Sequence, residues 1–331
     1  MKVRVPKMLP IPFPINDSNV FAGPVNDVPL MVQTHGQESN FVVCGGGKTG
    51  IDAVLELLKL GVARSHIVWV IPNDSWYVLR EMLFHPKRLM QEYSNLMDAF
   101  LESSTSQEAM LKGEVEQSGK GMLCRLDTSI MPSKFKAATI GVDDLPKLRS
   151  INRVVRMGRI QRVEKGRLIL EKGDYEISAD SCLIDCTANG LAPVKAVPIF
   201  SGKRISLQPV TQLQQVYSAA IIAHMECNFS DKDESIKNEI CTVVQHNVEA
   251  RDVGLTMYLT SKTLLAMKKY GLFRFQFTSR LNYMTGIPLW RVLWTLLGPP
   301  NLSGKLEKFV AKVEKGDFSD IALPLNAPGV A

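Results

Sequence analysis

Apolar runs and their spacing frame the first half of the chain. Phe41-Val42-Val43-Cys44 is a short continuous apolar run that reads as a buried strand. Ile51, Val54, Leu55 and Leu58 then recur at helical spacing, and Gly61 supplies a stop. His66-Ile67-Val68-Trp69-Val70-Ile71 is a second strand-like run. Strand, helix and strand in this order predict a β-α-β unit and a parallel sheet.

The pattern weakens on either side of this unit. Residues 1–39 are rich in Pro, Asn and Asp with little periodicity, and read as an extended linker over a surface, with a turn at Val25–Pro29. Met82 to Lys112 reads as helix, with Leu89, Met90, Tyr93, Leu96, Met97 and Phe100 forming an apolar stripe; Ser103–Ser106 is a break and a cap for the next helix. Gly113 to Gly121 reads as a polar loop. Short β-like runs follow at Asn152–Ile160, Arg167–Leu170, Tyr175–Ile177 and Ser181–Cys186, separated by Lys165-Gly166 and Lys172-Gly173-Asp174. They predict a meander that ends in Asp185-Cys186-Thr187-Ala188-Asn189-Gly190. Ala196–Phe200 and Arg204–Leu207 look like strands, and Ser218–Met225 suits either helix or strand. Residues 230–280 read as mainly helical, 286–313 as a helix pair around Gly298-Pro299-Pro300, and Gly316–Ala331 as a loose tail.

The turn after the first strand carries the chemistry. Gly45, Gly47 and Gly50 have the spacing G-x-G-x-x-G, between a strand and a helix. In a dinucleotide site the first Gly lets the chain reverse, the second admits a pyrophosphate, and the third lets the helix approach the strand. The free N–H groups and positive end of the helix then face the phosphates. The same glycines also suit a nucleotide-free strand–helix turn. Gly47-Lys48-Thr49 mimics the end of a triphosphatase phosphate loop, but the Gly required five positions earlier is Val42, so that reading fails. Asp74 is the acid close to the end of the second strand, where the adenosine ribose is held. It suits equally an N-cap for a helix starting at Trp76, so the choice between NAD and NADP stays open.

Composition adds limits. With 331 residues, 45% of them hydrophobic, the chain can bury a sizeable core and suits two domains. The formal charge of +6 is spread along the chain, which argues against nucleic-acid binding and suits an anionic cofactor. Six Cys and five His form no metal-ligand spacing, and no metal is expected. Several Cys sit in apolar runs as buried thiols, which fits a reducing, cytoplasmic setting. The N-terminus lacks the apolar core of a signal peptide, and Ile287–Leu297 is too short to span a bilayer and carries Arg291, so no membrane span is expected.

VVCGGGKTGIDAVLELLKLGV followed by IVWVIPNDSW resembles the second, NAD(P)-binding fingerprint of two-dinucleotide flavoproteins, and most of all that of the flavin-containing monooxygenase-like FAD/NAD(P)-binding oxidoreductases. The meander ending in LIDCTANG resembles the return from the NAD(P) domain to the FAD domain. ISLQPVTQLQQVYSAAIIAHME is similar to the later FAD-side region. The resemblance spans Val25 to Glu226. It implies that Gly45, Gly46, Gly47, Lys48, Thr49 and Gly50 hold the NAD(P)H pyrophosphate, and that Thr187, Ala188 and Gly190 lie near a flavin. NADPH-using members often carry a basic residue after the second strand; here that place is Asn73. No G-x-G-x-x-G for FAD precedes Gly45.

The expected fold class is α/β: a Rossmann-like parallel sheet with a β-meander, followed by a mainly helical C-terminal region. The expected division is a linker over 1–39, an NAD(P)-binding domain with a helical insertion over 40–195, and a FAD-side and helical region over 196–331. The expected function is a monooxygenase-like FAD/NAD(P)-dependent oxidoreductase acting on a small-molecule substrate, in which NAD(P)H reduces a flavin. The alternatives are a flavin-free NAD(P)-dependent reductase and a truncated or non-catalytic NAD(P)-binding module. No nucleophile or acid/base pair stands out, as expected where the cofactor carries the chemistry. Loss of the FAD half would leave apolar surface, to be covered by a second copy or a partner chain.

Overall fold

The computed structural model describes residues 10–17, 19–83, 86–118, 121–188, 194–212, 214–246, 248–282, 288, 290 and 301–321. In chain order the elements used below are β1 (Phe21–Pro24), α1 (Val28–His35), β2 (Phe41–Cys44), α2 (Lys48–Lys59), β3 (Ile67–Val70), β4 (Ser75–Leu79), α3 (Pro86–Leu101), α4 (Ser106–Lys112), β5 (Lys134–Ile140) and α5 (Leu145–Arg149). They continue with β6 (Val154–Val155), β7 (Ile160–Glu164), β8 (Arg167–Leu170), β9 (Gly173–Glu176), β10 (Cys182–Asp185), α6 (Gln215–Asn228), α7 (Glu234–Ile240), α8 (Val253–Lys269) and α9 (Leu302–Glu314). The fold is α/β, with a parallel central sheet and a largely helical C-terminal region. Two compact units form: Met1–Tyr77 with Arg125–Ala192, and Val78–Cys124 with Pro193–Ala331. The segment read as a helical insertion of the dinucleotide domain therefore groups with the C-terminal residues.

The first unit is built on a five-stranded sheet in the order β1-β10-β2-β3-β6, with every neighbouring pair parallel. β2, β3 and β10 are buried along their whole length; β2 and β3 read as unbroken apolar runs, and β10 is apolar up to its last residue, the buried Asp185. α2 buries Gly50, Ile51, Ala53, Val54 and Leu57. Gly61, at φ +88°, takes the left-handed conformation that ends it. The meander is an antiparallel sheet β9-β8-β7, with its reversals at Gly166 (φ +69°) and Gly173 (φ +138°). The last run, 182–185, leaves the meander and enters the parallel sheet between β1 and β2.

Two expectations for this unit are corrected. Residues 1–39 are not a linker where they are described: 21–24 form a sheet edge, 28–35 form a helix, and Phe13 is buried in the same core as β2 and β7. Pro29 sits in the first turn of α1, where the missing N–H costs nothing, so it begins a helix and does not break one. Val28, Met31 and Val32 are its buried face. The segment from Trp76 is strand and not helix, buried at every position from Ser75 to Leu79. Its Trp-Tyr-Val sequence prefers the pleated surface, and the Lys134 N–H donates to the Asp74 carbonyl at 3.2 Å as β4 pairs with β5.

In the second unit, α3 and α4 bracket the expected break, and Thr105 caps α4 by accepting from the Glu108 N–H. Ser218–Met225 lies in helix α6. Residues 196–207 hold only a small hairpin, Phe200–Ser201 with Arg204–Ile205. Of the helix pair expected over 286–313, residues 302–313 lie in α9, and 286, 287, 289 and 291–300 lie outside the described residues. Lys305 of α9 reaches Asp98 and the Ser94 hydroxyl, and Lys312 donates to the carbonyls of Leu101 and Ser103 at the end of α3. A cation there complements the carbonyl end of the helix.

The tail expectation is also corrected up to residue 321. Phe318 is 2% exposed, with its ring 5.9 Å from Phe100 and 5.6 Å from Phe309. Asp320 accepts from the Ser106 N–H at 2.8 Å and so caps α4 a second time. A short stretch with one aromatic carries no periodicity, so packing alone reveals it. Among the described residues, no helix is long and apolar enough to cross a membrane. Phe318→Ala should destabilise the chain by about 3–5 kcal/mol, the usual cost of emptying a buried aromatic site, read as a lower denaturant midpoint.

Candidate functional site

β2 is the central strand of the sheet. Its neighbour on one side is β3, the next sheet strand in sequence, and on the other β10, a late one. In open parallel sheets, ligands bind outside the carboxyl ends of the strands. The turn from Gly45 to Gly50 lies there.

Each glycine of the turn has a separate physical reason. Gly45 has φ +133°, and a Cβ on it would lie 2.6 Å from the Cys186 carbonyl oxygen. A Cβ on Gly46 would lie 2.7 Å from the Ile71 side chain. A Cβ on Gly50 would lie 1.9 Å from the Gly45 carbonyl oxygen, so only glycine lets α2 start this close to β2. Gly47 differs: it is exposed, its backbone is extended at φ −82°, and a Cβ there would meet nothing within 4 Å. It is the N-cap of α2 and has no side chain to satisfy the first N–H groups of the helix. The open side of the turn is thus the second glycine, the position where a dinucleotide site admits its pyrophosphate.

Two aromatic side chains hold the turn. The Trp69 indole N–H donates to the Gly45 carbonyl at 2.9 Å, and the Tyr77 hydroxyl donates to the Gly46 carbonyl at 2.7 Å. Both are buried, so their polar ends need partners inside the fold. From sequence, Trp69 reads only as part of a strand. A lone Trp in an aliphatic strand, with its one N–H donor, was the available signal.

Lys48 pairs with Asp52 one turn along α2, both partly exposed. Thr49 is half-buried in the first turn. The far side of the crevice is the end of β10. There Asp185, buried, accepts from the Thr187 N–H at 3.0 Å and from its hydroxyl at 2.6 Å. Cys186 N–H donates to the Cys44 carbonyl, so Thr187 and Ala188 leave the sheet beside the glycine turn. The structure brings these two residues to the turn; Gly190 lies outside the described residues.

Asp74 is neither a helix cap nor an open carboxylate. Arg156, just after β6, binds it through Nε at 2.9 and 3.2 Å and through Nη2 at 3.2 Å. Arg156 Nη2 also lies 3.5 Å from Asp127. Hydrogen bonds from the Ser129 hydroxyl and N–H hold the Asp127 carboxyl below the usual carboxylate range. A pocket of about 430 Å³ opens here, walled by Trp69 and Ile71 of the β3 strand end and lined by Asp127, Arg149 and Arg156. Trp69 and Ile71 also contact the glycine turn, so pocket and turn share a wall.

The thiols near the site are poor nucleophiles. Burial pushes the Cys44 and Cys186 thiols well up, with Cys186 and Asp185 adding to it at Cys44 and Asp185 and Asp52 adding to it at Cys186, and burial lifts Cys182 to about 11. Among the six cysteines only Cys227 is exposed.

No protein-family model matches the chain. Over 249 residues, 74% of this chain, it is 34% identical to the uncharacterized proteins Rv2000 of Mycobacterium tuberculosis (strain H37Rv) and Mb2023 of Mycobacterium bovis. The match covers 44% of the length of each of those proteins.

Two outcomes are expected. Gly50→Ala should lower stability by about 3 kcal/mol, the upper range of overpacking costs, whereas Gly47→Ala should cost under about 1 kcal/mol, as at an exposed N-cap; paired denaturant titrations compare them. Iodoacetamide at pH 8 should add one adduct to the native protein, at Cys227, and six after unfolding, read by intact mass.

Proposed function

We propose that the chain binds a nicotinamide dinucleotide at the Gly45–Gly50 turn and serves a flavin-dependent oxidoreductase of the monooxygenase-like class. The observation that carries this reading is the combination at one place of a positive-φ first glycine, an open second glycine and a third glycine pressed on the turn, at the carboxyl ends of a parallel sheet. Gly46, Gly47, Lys48 and Thr49 would hold the pyrophosphate, through backbone N–H groups and the positive helix end. The bound cofactor supplies the hydride; the chain orients it and excludes water.

FAD fits less well. Among the described residues there is one glycine-rich strand–helix turn of this kind, and it is assigned to the nicotinamide dinucleotide. The other early strand–helix connection, β1 to α1, carries Val25-Asn26-Asp27 in place of a glycine fingerprint. That observation favours a second reading, an NAD(P)-binding module without its own flavin. The match to less than half of each longer relative leaves room for a whole protein whose other parts bind the flavin and the small-molecule substrate. The five buried thiols agree with a reducing, cytoplasmic setting.

The visible spectrum of the purified chain, before and after incubation with FAD and gel filtration, separates the readings. A flavin band that survives filtration and bleaches with NADPH supports the oxidoreductase reading. A colourless protein that still retains NADPH supports the module. A protein that retains neither contradicts both.

A further inference from the structure

Gly45, Gly46 and Gly47 put three residues without side chains in a row at the head of the candidate site. Glycine takes either sign of φ at little cost, so such a run has no orientation of its own. None of these peptides is cis. In a planar trans peptide the C=O and the following N–H point in opposite directions. Whatever holds one carbonyl of the run therefore aims the next N–H.

Two successive carbonyls are held, each by its own buried ring. The Trp69 indole donates to Gly45 at 2.9 Å and the Tyr77 hydroxyl to Gly46 at 2.7 Å. Trp69 is 1% exposed and Tyr77 0%, so both carbonyls are drawn toward the interior. Exposure rises along the turn, from buried Gly45 through half-buried Gly46 to exposed Gly47. The Gly46 N–H thus points away from Trp69, and the Gly47 N–H away from Tyr77. Neither N–H finds an acceptor among the described residues. Successive open N–H groups of this kind attract an anion, whereas a carbonyl turned the same way repels it. From this geometry we infer that Trp69 and Tyr77 are positioning residues: acting through the backbone, they lock the Gly45–Gly46 and Gly46–Gly47 peptides with their N–H groups turned out toward a diphosphate. The inference rests on the reading of the Gly45 turn as a dinucleotide site. Without an anchor, a peptide between two glycines samples the repelling orientation, and the apparent affinity falls with the fraction of chains that remain competent.

The test measures equilibrium affinity for NADH, NADPH and inorganic pyrophosphate by calorimetry, on the wild-type chain, Tyr77→Phe, Trp69→Phe and the control Tyr258→Phe. Tyr258 belongs to the second unit, and its hydroxyl donates to Glu314 at 3.0 Å, so the control loses a comparable bond that does not touch the turn. Tyr77→Phe and Trp69→Phe should each weaken all three ligands by a common factor of about 3- to 10-fold, the reach of one net hydrogen bond. Tyr258→Phe should lower the unfolding midpoint and leave the affinities unchanged. Should the two turn variants fail to fold, amide-proton NMR of the wild type decides: the Gly46 and Gly47 signals should move downfield as pyrophosphate binds. Turn variants that lose stability but keep wild-type affinity, or Gly46 and Gly47 amides that do not respond to bound pyrophosphate, overturn the inference and leave the turn assignment intact. A wild type that binds pyrophosphate but neither dinucleotide overturns the dinucleotide reading, and the anchors are then scored on pyrophosphate alone. A wild type that binds none of the three overturns both.

Discussion

The first unit depends on one close approach: the α carbon of Gly50 against the carbonyl oxygen of Gly45. Any side chain at Gly50 would begin 1.9 Å from that oxygen. The contact sets how near α2 starts to β2, and so how far the open N–H groups at the head of the helix stand from the sheet edge. The same oxygen is fixed from the other direction by the Trp69 indole at 2.9 Å. Gly45 is therefore held by a missing Cβ on one side and a hydrogen bond on the other. A buried carbonyl needs a partner, and an indole N–H in a neighbouring strand supplies one without water.

The same constraint organises the surroundings. With the turn fixed, Gly47 faces open space, Cys186 presses its carbonyl on Gly45, and Ile71 fills the gap beside Gly46. β10 reaches the turn because the meander turns the chain back into the parallel sheet between β1 and β2. The Asp74–Arg156 pair then closes the side nearest β6. All of these lie at the carboxyl ends of parallel strands, where the backbone leaves the sheet and side chains of distant sequence meet.

Much of this was legible. The β2–α2–β3 unit, the chain reversal at Gly45, the close packing at Gly50 and the helix stop at Gly61 follow from local pattern, since each element is buried on its apolar residues. The reversals of the meander followed from glycine. The misreadings share a cause. Pro29 and the Asn/Asp residues before β2 suggested an open linker because first-turn proline and breaking proline look alike without neighbours. Asp74 looked like a cap or a ribose ligand because its partner lies 82 residues away. Trp69 and Tyr77 carry no periodic mark of their bonds to the turn. Phe318 belongs to a core whose other members, Phe100 and Phe309, come from helices distant in sequence. Long-range pairings of this kind are set by packing, which no local window contains.

The central claim is that the exposed face of the Gly45–Gly50 turn receives a phosphate of a nicotinamide dinucleotide. The most direct measurement is equilibrium dialysis of NADPH against the wild-type chain and Gly47→Val. Gly47 has an extended backbone that valine adopts readily, and its Cβ direction is empty, so the variant keeps its fold. The account predicts saturable one-to-one binding by the wild type and its loss in the variant, with the unfolding temperature lowered by no more than about 4 °C, the cost of a poorer N-cap. Equal binding by both proteins, or none by the wild type, would contradict it.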